Sequence, residues 1–249
     1  MNTNKNSYTL IYMVVIITIV SLLLSITSGS LRSFQEDNVR LDTKKQILNS
    51  LPGIELGEDA AATYAATIKE YNMLDAEGNV IKTLDPVADF DVKATEGVEF
   101  PIYVATVNGE TKYILPMNGA GLWGAIWGYM ALNKDKNTIY GVFFNHASET
   151  PGLGAEIVTE AFRAPFIGKH LLNASGEFVS IAIRKAGLIA EGQEQVDAIS
   201  GGTITSNGVE AMLKSSLSNY EKFLTAPAAI IVEEVADSVI VEPVIEGGN

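Results

Sequence analysis

The feature that most constrains this chain lies near its start. Leu10 to Ile26 is almost wholly apolar, with Thr18, Ser21 and Ser25 as the main polar interruptions. A bilayer core is crossed by about 17 to 25 such residues. A secretory signal core is usually shorter, about 7 to 15 residues, and ends at a small-residue cleavage site that Ser28-Gly29-Ser30 matches poorly. The run therefore reads as a retained anchor, and whatever follows must fold beside a membrane. Basic residues do not orient it well: Lys5 precedes the run, while Arg32, Arg40, Lys44 and Lys45 follow it among acids. By the positive-inside rule this weakly favours a cytoplasmic body.

The remainder is long enough for a substantial core. A formal net charge of -13 argues against nucleic acid, whose phosphates need a basic footprint. The chain has no cysteine, which removes disulfides, thiolate metal sites and thiol nucleophiles. With two histidines, a histidine-rich metal centre is not expected.

Hydrophobic spacing predicts helices over 42–51, ended by Pro52-Gly53, and over 58–71. Alternation predicts strands over 102–107 and 110–115, joined by Asn108-Gly109, a pair favoured in two-residue hairpin turns. Further strands are expected over 138–144 and 178–183. A final helix has Val209, Met212, Leu213, Leu217, Tyr220 and Leu224 on one face, with Asn207 as N-cap and Glu210 completing a capping box. This is an α+β pattern with a largely antiparallel sheet. The expected division is an anchor (1–30), a mixed region (31–100), a main domain (101–225) and an acidic tail (226–249), within which 239–245 could add an edge strand.

Three segments carry chemistry. In Asp197-Ala198-Ile199-Ser200-Gly201-Gly202-Thr203-Ile204-Thr205-Ser206, hydroxyls surround a Gly-Gly turn ahead of a helix. Glycine lets backbone approach a ligand closely, and a helix start offers free N–H groups to a phosphate. His146-Ala147-Ser148-Glu149-Thr150-Pro151-Gly152-Leu153-Gly154 is a tight loop that could lie along a flat ligand. It lacks the Gly-x-Gly-x-x-Gly spacing of a dinucleotide fold and the lysine of a Walker loop. Asn118 to Met130, with Trp123 and Trp127, is either core or a wall beside an aromatic ring. Lys185 could neutralise a phosphate or be a solvated cation. No Gly-x-Ser-x-Gly elbow is present, which disfavours a serine hydrolase.

Taken together and in this order, these segments resemble the FMN-binding domain family, and in particular the C subunit of the sodium-translocating NADH:quinone reductase. Asp-x-x-Ser-Gly-x-Thr resembles the signature at which a flavin transferase esterifies FMN to threonine, with Gly202 where alanine is usual. The resemblance implies a single N-terminal transmembrane helix followed by the FMN-binding domain. It implies FMN linked by its phosphate to Thr203, with Thr205 as the alternative hydroxyl. It places the flavin against Glu149, Thr150, Pro151, Gly152, Leu153 and Gly154, and against Leu122 and Trp123, with Ser200, Gly201, Gly202 and Thr205 around the attachment. It implies an electron carrier without catalytic residues or metal, relaying single electrons inside a membrane complex whose other subunits hold the NADH and quinone sites. It implies a body on the periplasmic side of a bacterial inner membrane, against the weak charge count. The G subunit of the Rnf complex shares the domain and is the alternative assignment; a membrane-anchored anion-binding protein without redox chemistry is another.

Overall fold

The computed structural model describes residues 6–57, 59–88 and 99–226. It opens with one unbroken helix, α1 (Asn6–Leu48), of 43 residues. At 1.5 Å per residue it is about 64 Å long. Among the described residues it is the one helix long and apolar enough to cross a membrane. The helix expected over 42–51 is the last part of α1 and ends at Leu48, three residues short, so no break separates the apolar run from the folded body. Burial begins at Thr43, and Gln46, Ile47, Leu48 and Leu51 enter the core.

A short helix, α2 (Ala60–Thr67), follows, capped by Asp59, whose carboxylate accepts the Ala61 and Ala62 N–H groups. The helix expected to reach Tyr71 stops here. The chain extends at Ile68 into β1 (Ile68–Leu74), because Tyr71, Met73 and their neighbours are needed in a sheet. The six strands are β1, β2 (Val80–Leu84), β3 (Phe100–Val107), β4 (Glu110–Ala120), β5 (Ala125–Leu132) and β6 (Ile139–His146). They form one antiparallel sheet in the order β2-β1-β3-β4-β5-β6. Strands from both sides of residue 100 thus share a sheet. The Asn108-Gly109 turn has positive φ at both residues, 53° and 80°, as its hairpin type requires.

Strand alternation divides the interior in two. On β5, Tyr129 and Ala131 face a cluster with Ile47, Leu48, Tyr64 and Tyr103, under the end of α1. Ile126, Met130 and Leu132 face the other cluster, with Phe144, Phe162 and Phe166. That second face is covered by a 3-10 turn (Gly154–Val158), α3 (Glu160–Arg163) and α4 (Thr203–Ser218), while α5 (Glu221–Thr225) closes the chain. Burying Val209, Met212, Leu213 and Leu217 of α4 contributes about 1.5–3 kcal/mol each.

Two short strands, β7 (Ala182–Arg184) and β8 (Gln195–Asp197), pair in parallel beside α4. The strand expected from Phe178 is reduced to an isolated Phe178–Leu172 bridge before β7. Helix α4 begins at Thr203, one turn before the expected Asn207 cap. Asn207 lies exposed inside the helix, and Glu210 pairs with Arg184 and accepts the Ile183 N–H instead of closing a capping box. The acidic tail and its candidate strand over 239–245 lie outside the described residues.

Candidate functional site

The three chemical segments meet at the start of α4. Gly201 has a φ of 75°, which favours glycine, and it turns the chain from β8 into the helix. The Gly202 N–H donates to Ile199 O, and the Ser206 hydroxyl accepts the Ile199 N–H. The turn is therefore held by its own residues. No side chain caps the helix at Gly202. Thr203 is the first helical residue and half-buried, with Ser200 and Gly201 exposed beside it. A helix start of this kind favours negative charge.

The second segment follows β6. The His146 Nδ1 accepts the Glu149 N–H at 3.1 Å and sets the loop's entry. Thr150, Pro151, Gly152 and Leu153 are exposed, whereas Glu149 and Gly154 are buried. Glu156, in the 3-10 turn, accepts the Gly152 N–H. Leu153 packs against the Gly201–Gly202 turn: a Cβ on Gly201 would lie 2.7 Å from Leu153 Cδ2.

The third segment is the β4–β5 hairpin end. The Ser148 hydroxyl donates to Trp123 O at 2.8 Å, joining this turn to the second segment. Trp123 is 66% exposed, so it is not core. Leu122 and Leu153 on the loops and Ile204 in the first turn of α4 are exposed too, so each of the three segments presents an apolar side chain to the surface.

Beneath them sits Glu149, only 4% exposed. Its Oε2 accepts from the Thr205 hydroxyl at 2.7 Å, and its Oε1 from the Trp123 N–H at 2.8 Å. Burial pushes this carboxyl up, but the Thr205 hydroxyl and the Trp123 and Leu122 N–H groups more than offset it, and the net shift is downward. The carboxylate is the stable form. Thr205, 2% exposed and committed to Glu149, has its hydroxyl turned inward. Of the two candidate acceptors, Thr203 is the more accessible.

Lys185 is exposed at the end of β7, and the Ala198 N–H donates to Arg184 O, so β7 ends alongside the acceptor run. A surface cleft of about 520 Å³ adjoins this run, lined by Phe162, Pro165, Lys169, Val196, Ala198 and Ile199 among others. Sequence reasoning missed it, because its walls come from α3 and β8, which are far apart in the chain and share no motif. Among the described residues no cluster of three or more His, Asp or Glu side chains could hold a metal. His170 instead pairs with Glu194, away from the acceptor turn.

The model of the FMN-binding domain family matches residues 121–218, which contain the first two segments and the third from Gly121 on. The C subunit of the Na(+)-translocating NADH-quinone reductase of Haemophilus ducreyi is 30% identical over 236 residues, covering 86% of this chain and 90% of that protein. The crystal structure of the corresponding protein from Parabacteroides distasonis is 47% identical with a TM-score of 0.73, covering 79% of this chain and 98% of that one. A further structure, NqrC from Shewanella oneidensis, shares the fold at 24% identity, with a TM-score of 0.60 over 76% of this chain and 98% of that one. With these likenesses in sequence and structure, over nearly the whole of each relative, the chain belongs to the NqrC family, the C subunits of Na(+)-translocating NADH-quinone reductases.

Proposed function

We propose that this chain is the FMN-carrying electron-transfer subunit of a membrane sodium-translocating NADH:quinone reductase, with the flavin linked through its phosphate to the Thr203 hydroxyl. The observation that carries the reading is the position of Thr203: the first residue of an uncapped helix start, half-buried, beside exposed Ile204, with Leu153 packed on Gly201 and the Leu122–Trp123 turn tied to the same helix turn through Glu149 and Thr205. The residues present fit such a group. The N–H groups at the start of α4 and its dipole favour a phosphate there, and Lys185 is an exposed cation just past Arg184, whose carbonyl accepts the Ala198 N–H of the run leading to Thr203. Leu122, Trp123 and Leu153 offer an apolar wall to a flat ring, and the loop from Thr150 to Gly154 exposes backbone that can run along it.

Bound FMN supplies one-electron redox chemistry, and the protein supplies binding, orientation and electrostatic tuning. No side chain here is asked to move a proton or attack a substrate. The helix α1 anchors the domain, and in this reading the body lies on the periplasmic side, in contact with the other subunits. A flavin transferase installs the group. A phosphoester removes dissociation as a route of loss from an exposed site.

The test is to co-express the full chain with an exported flavin transferase and to take its intact mass and a peptide map. The expected result is an increment of one FMN less one water on the Thr203 peptide, with a fluorescent band on a denaturing gel. An unmodified peptide, with a related NqrC protein modified in parallel, overturns the covalent assignment.

A further inference from the structure

We propose that Glu149 is a positioning residue: its buried carboxylate locks the first turn of α4 to the Leu122–Trp123 loop and so sets the spacing between the acceptor and the apolar wall. The inference rests on the FMN reading of that site for its functional meaning, and on geometry alone for the lock itself.

Both carboxylate oxygens are engaged inward. Oε1 receives the Trp123 N–H, and Oε2 receives the Thr205 hydroxyl. The partners are 26 residues before and 56 residues after Glu149 in sequence, so no local turn explains the arrangement. Space is closed around it as well. A Cβ on Gly121 would collide with Oε1, and one on Gly154 would collide with Oε2 and the Thr205 hydroxyl. The backbone of the Leu122–Trp123 turn and of Glu149's own loop is thus drawn against the carboxylate. A charge so buried persists only where its hydrogen bonds replace water, and here those bonds come from two of the surfaces assigned to the flavin. Glu149 itself, under the wall, offers no oxygen to a ligand. Thr205, two residues beyond Thr203 on the same helix, becomes the second half of the lock rather than an alternative acceptor.

The consequence is a coupling between residues that do not touch: removing the Thr205 hydroxyl should loosen Trp123. In the apo full-length protein, the Trp123 amide should exchange with deuterium at least about tenfold faster in Thr205→Val than in wild type, as expected for weakening a hydrogen-bond network to a charged group. Thr205→Ser, which keeps the hydroxyl, should restore protection. An unchanged Trp123 rate in Thr205→Val, or equal rates in the Val and Ser variants, overturns the lock. In flavin-loaded protein of confirmed mass, Thr205→Val should lower the anisotropy of flavin emission while Thr205→Ser does not. Anisotropy that follows wild type in both variants overturns the role in positioning. If wild type carries no FMN on Thr203, the covalent reading fails, while the exchange experiment still decides the lock.

Discussion

The Trp127 indole Nε1 donates to Gln46 Oε1 at 2.8 Å, fastening the last turns of α1 to β5. Gln46 in turn donates to Asp42 on its own helix. The strand that receives α1 starts at Ala125, two residues after Trp123, so the attachment of α1 and the Leu122–Trp123 turn are neighbours along the chain. Trp127→Phe should cost about 0.5–1.5 kcal/mol, the usual net worth of one such bond, measured by urea denaturation of the detergent-solubilised protein. Loss of the bond without any change in midpoint would show that the apolar contacts of Ile47 and Leu48 hold α1 alone.

Thr203→Ala should give a folded protein that retains no flavin. The side chain is half-buried and caps nothing, so its stability should stay within about 0.5 kcal/mol of wild type. Flavin fluorescence on a denaturing gel and a thermal melt check the two halves separately. Undiminished fluorescence in the variant would move the attachment elsewhere.

Gly154→Ala should destabilise the domain by about 1–3 kcal/mol, as overpacking does. A methyl there meets the Thr205 hydroxyl and the Glu149 carboxylate, and neither can retreat without breaking their hydrogen bond. Gly152→Ala, two residues away, meets no neighbour but forces alanine into a φ of 74°, so its cost should be the backbone term alone. Denaturation midpoints of the two variants compare crowding with strain directly.

Acid should act partly through Glu149. Its folded pKa lies below the unfolded value near 4.5, so its contribution to stability is complete above that value and is lost as pH falls through the folded pKa. Asp135 and Glu194 are lowered as well, the first through net hydrogen bonding from Thr138 and Asn137 against a desolvation cost, the second through His170 against the same cost. Glu149→Gln should therefore flatten the acid limb of a stability profile without abolishing it. A profile of unchanged slope below pH 4.5 would mean that Glu149 titrates alike in both states.

Much of this architecture was legible where a local rule decides it. Asn108-Gly109 specified the β3–β4 hairpin because both residues accept positive φ. The face of α4 was legible because Val209, Met212, Leu213 and Leu217 keep helical spacing into the core. Its start was not. Asn207 and Glu210 imitate a capping box, while the real first turn is organised by Gly202 and Ser206, and Glu210, two turns further on, pairs with Arg184 instead. β1 was hidden because its residues follow a helix without a breaker and extend only when β2 and β3 pair with them. The segments of the site could be picked out one by one. That a single carboxylate draws them together could not, since neither of its side-chain-mediated bonds is local.

The unbroken run of α1 has a mechanical meaning. Between Ile26, the last of the apolar segment, and Thr43, where burial begins, lie 16 exposed or half-exposed helical residues rather than a flexible strap. They form a cantilever about 24 Å long. A domain on a strap explores a cloud of positions, whereas a domain on a cantilever is confined to an arc. Leaning the rod by about ten degrees at its apolar end moves its far end by about 4 Å, which shifts the whole folded body while leaving the docking of α1 on β5 intact.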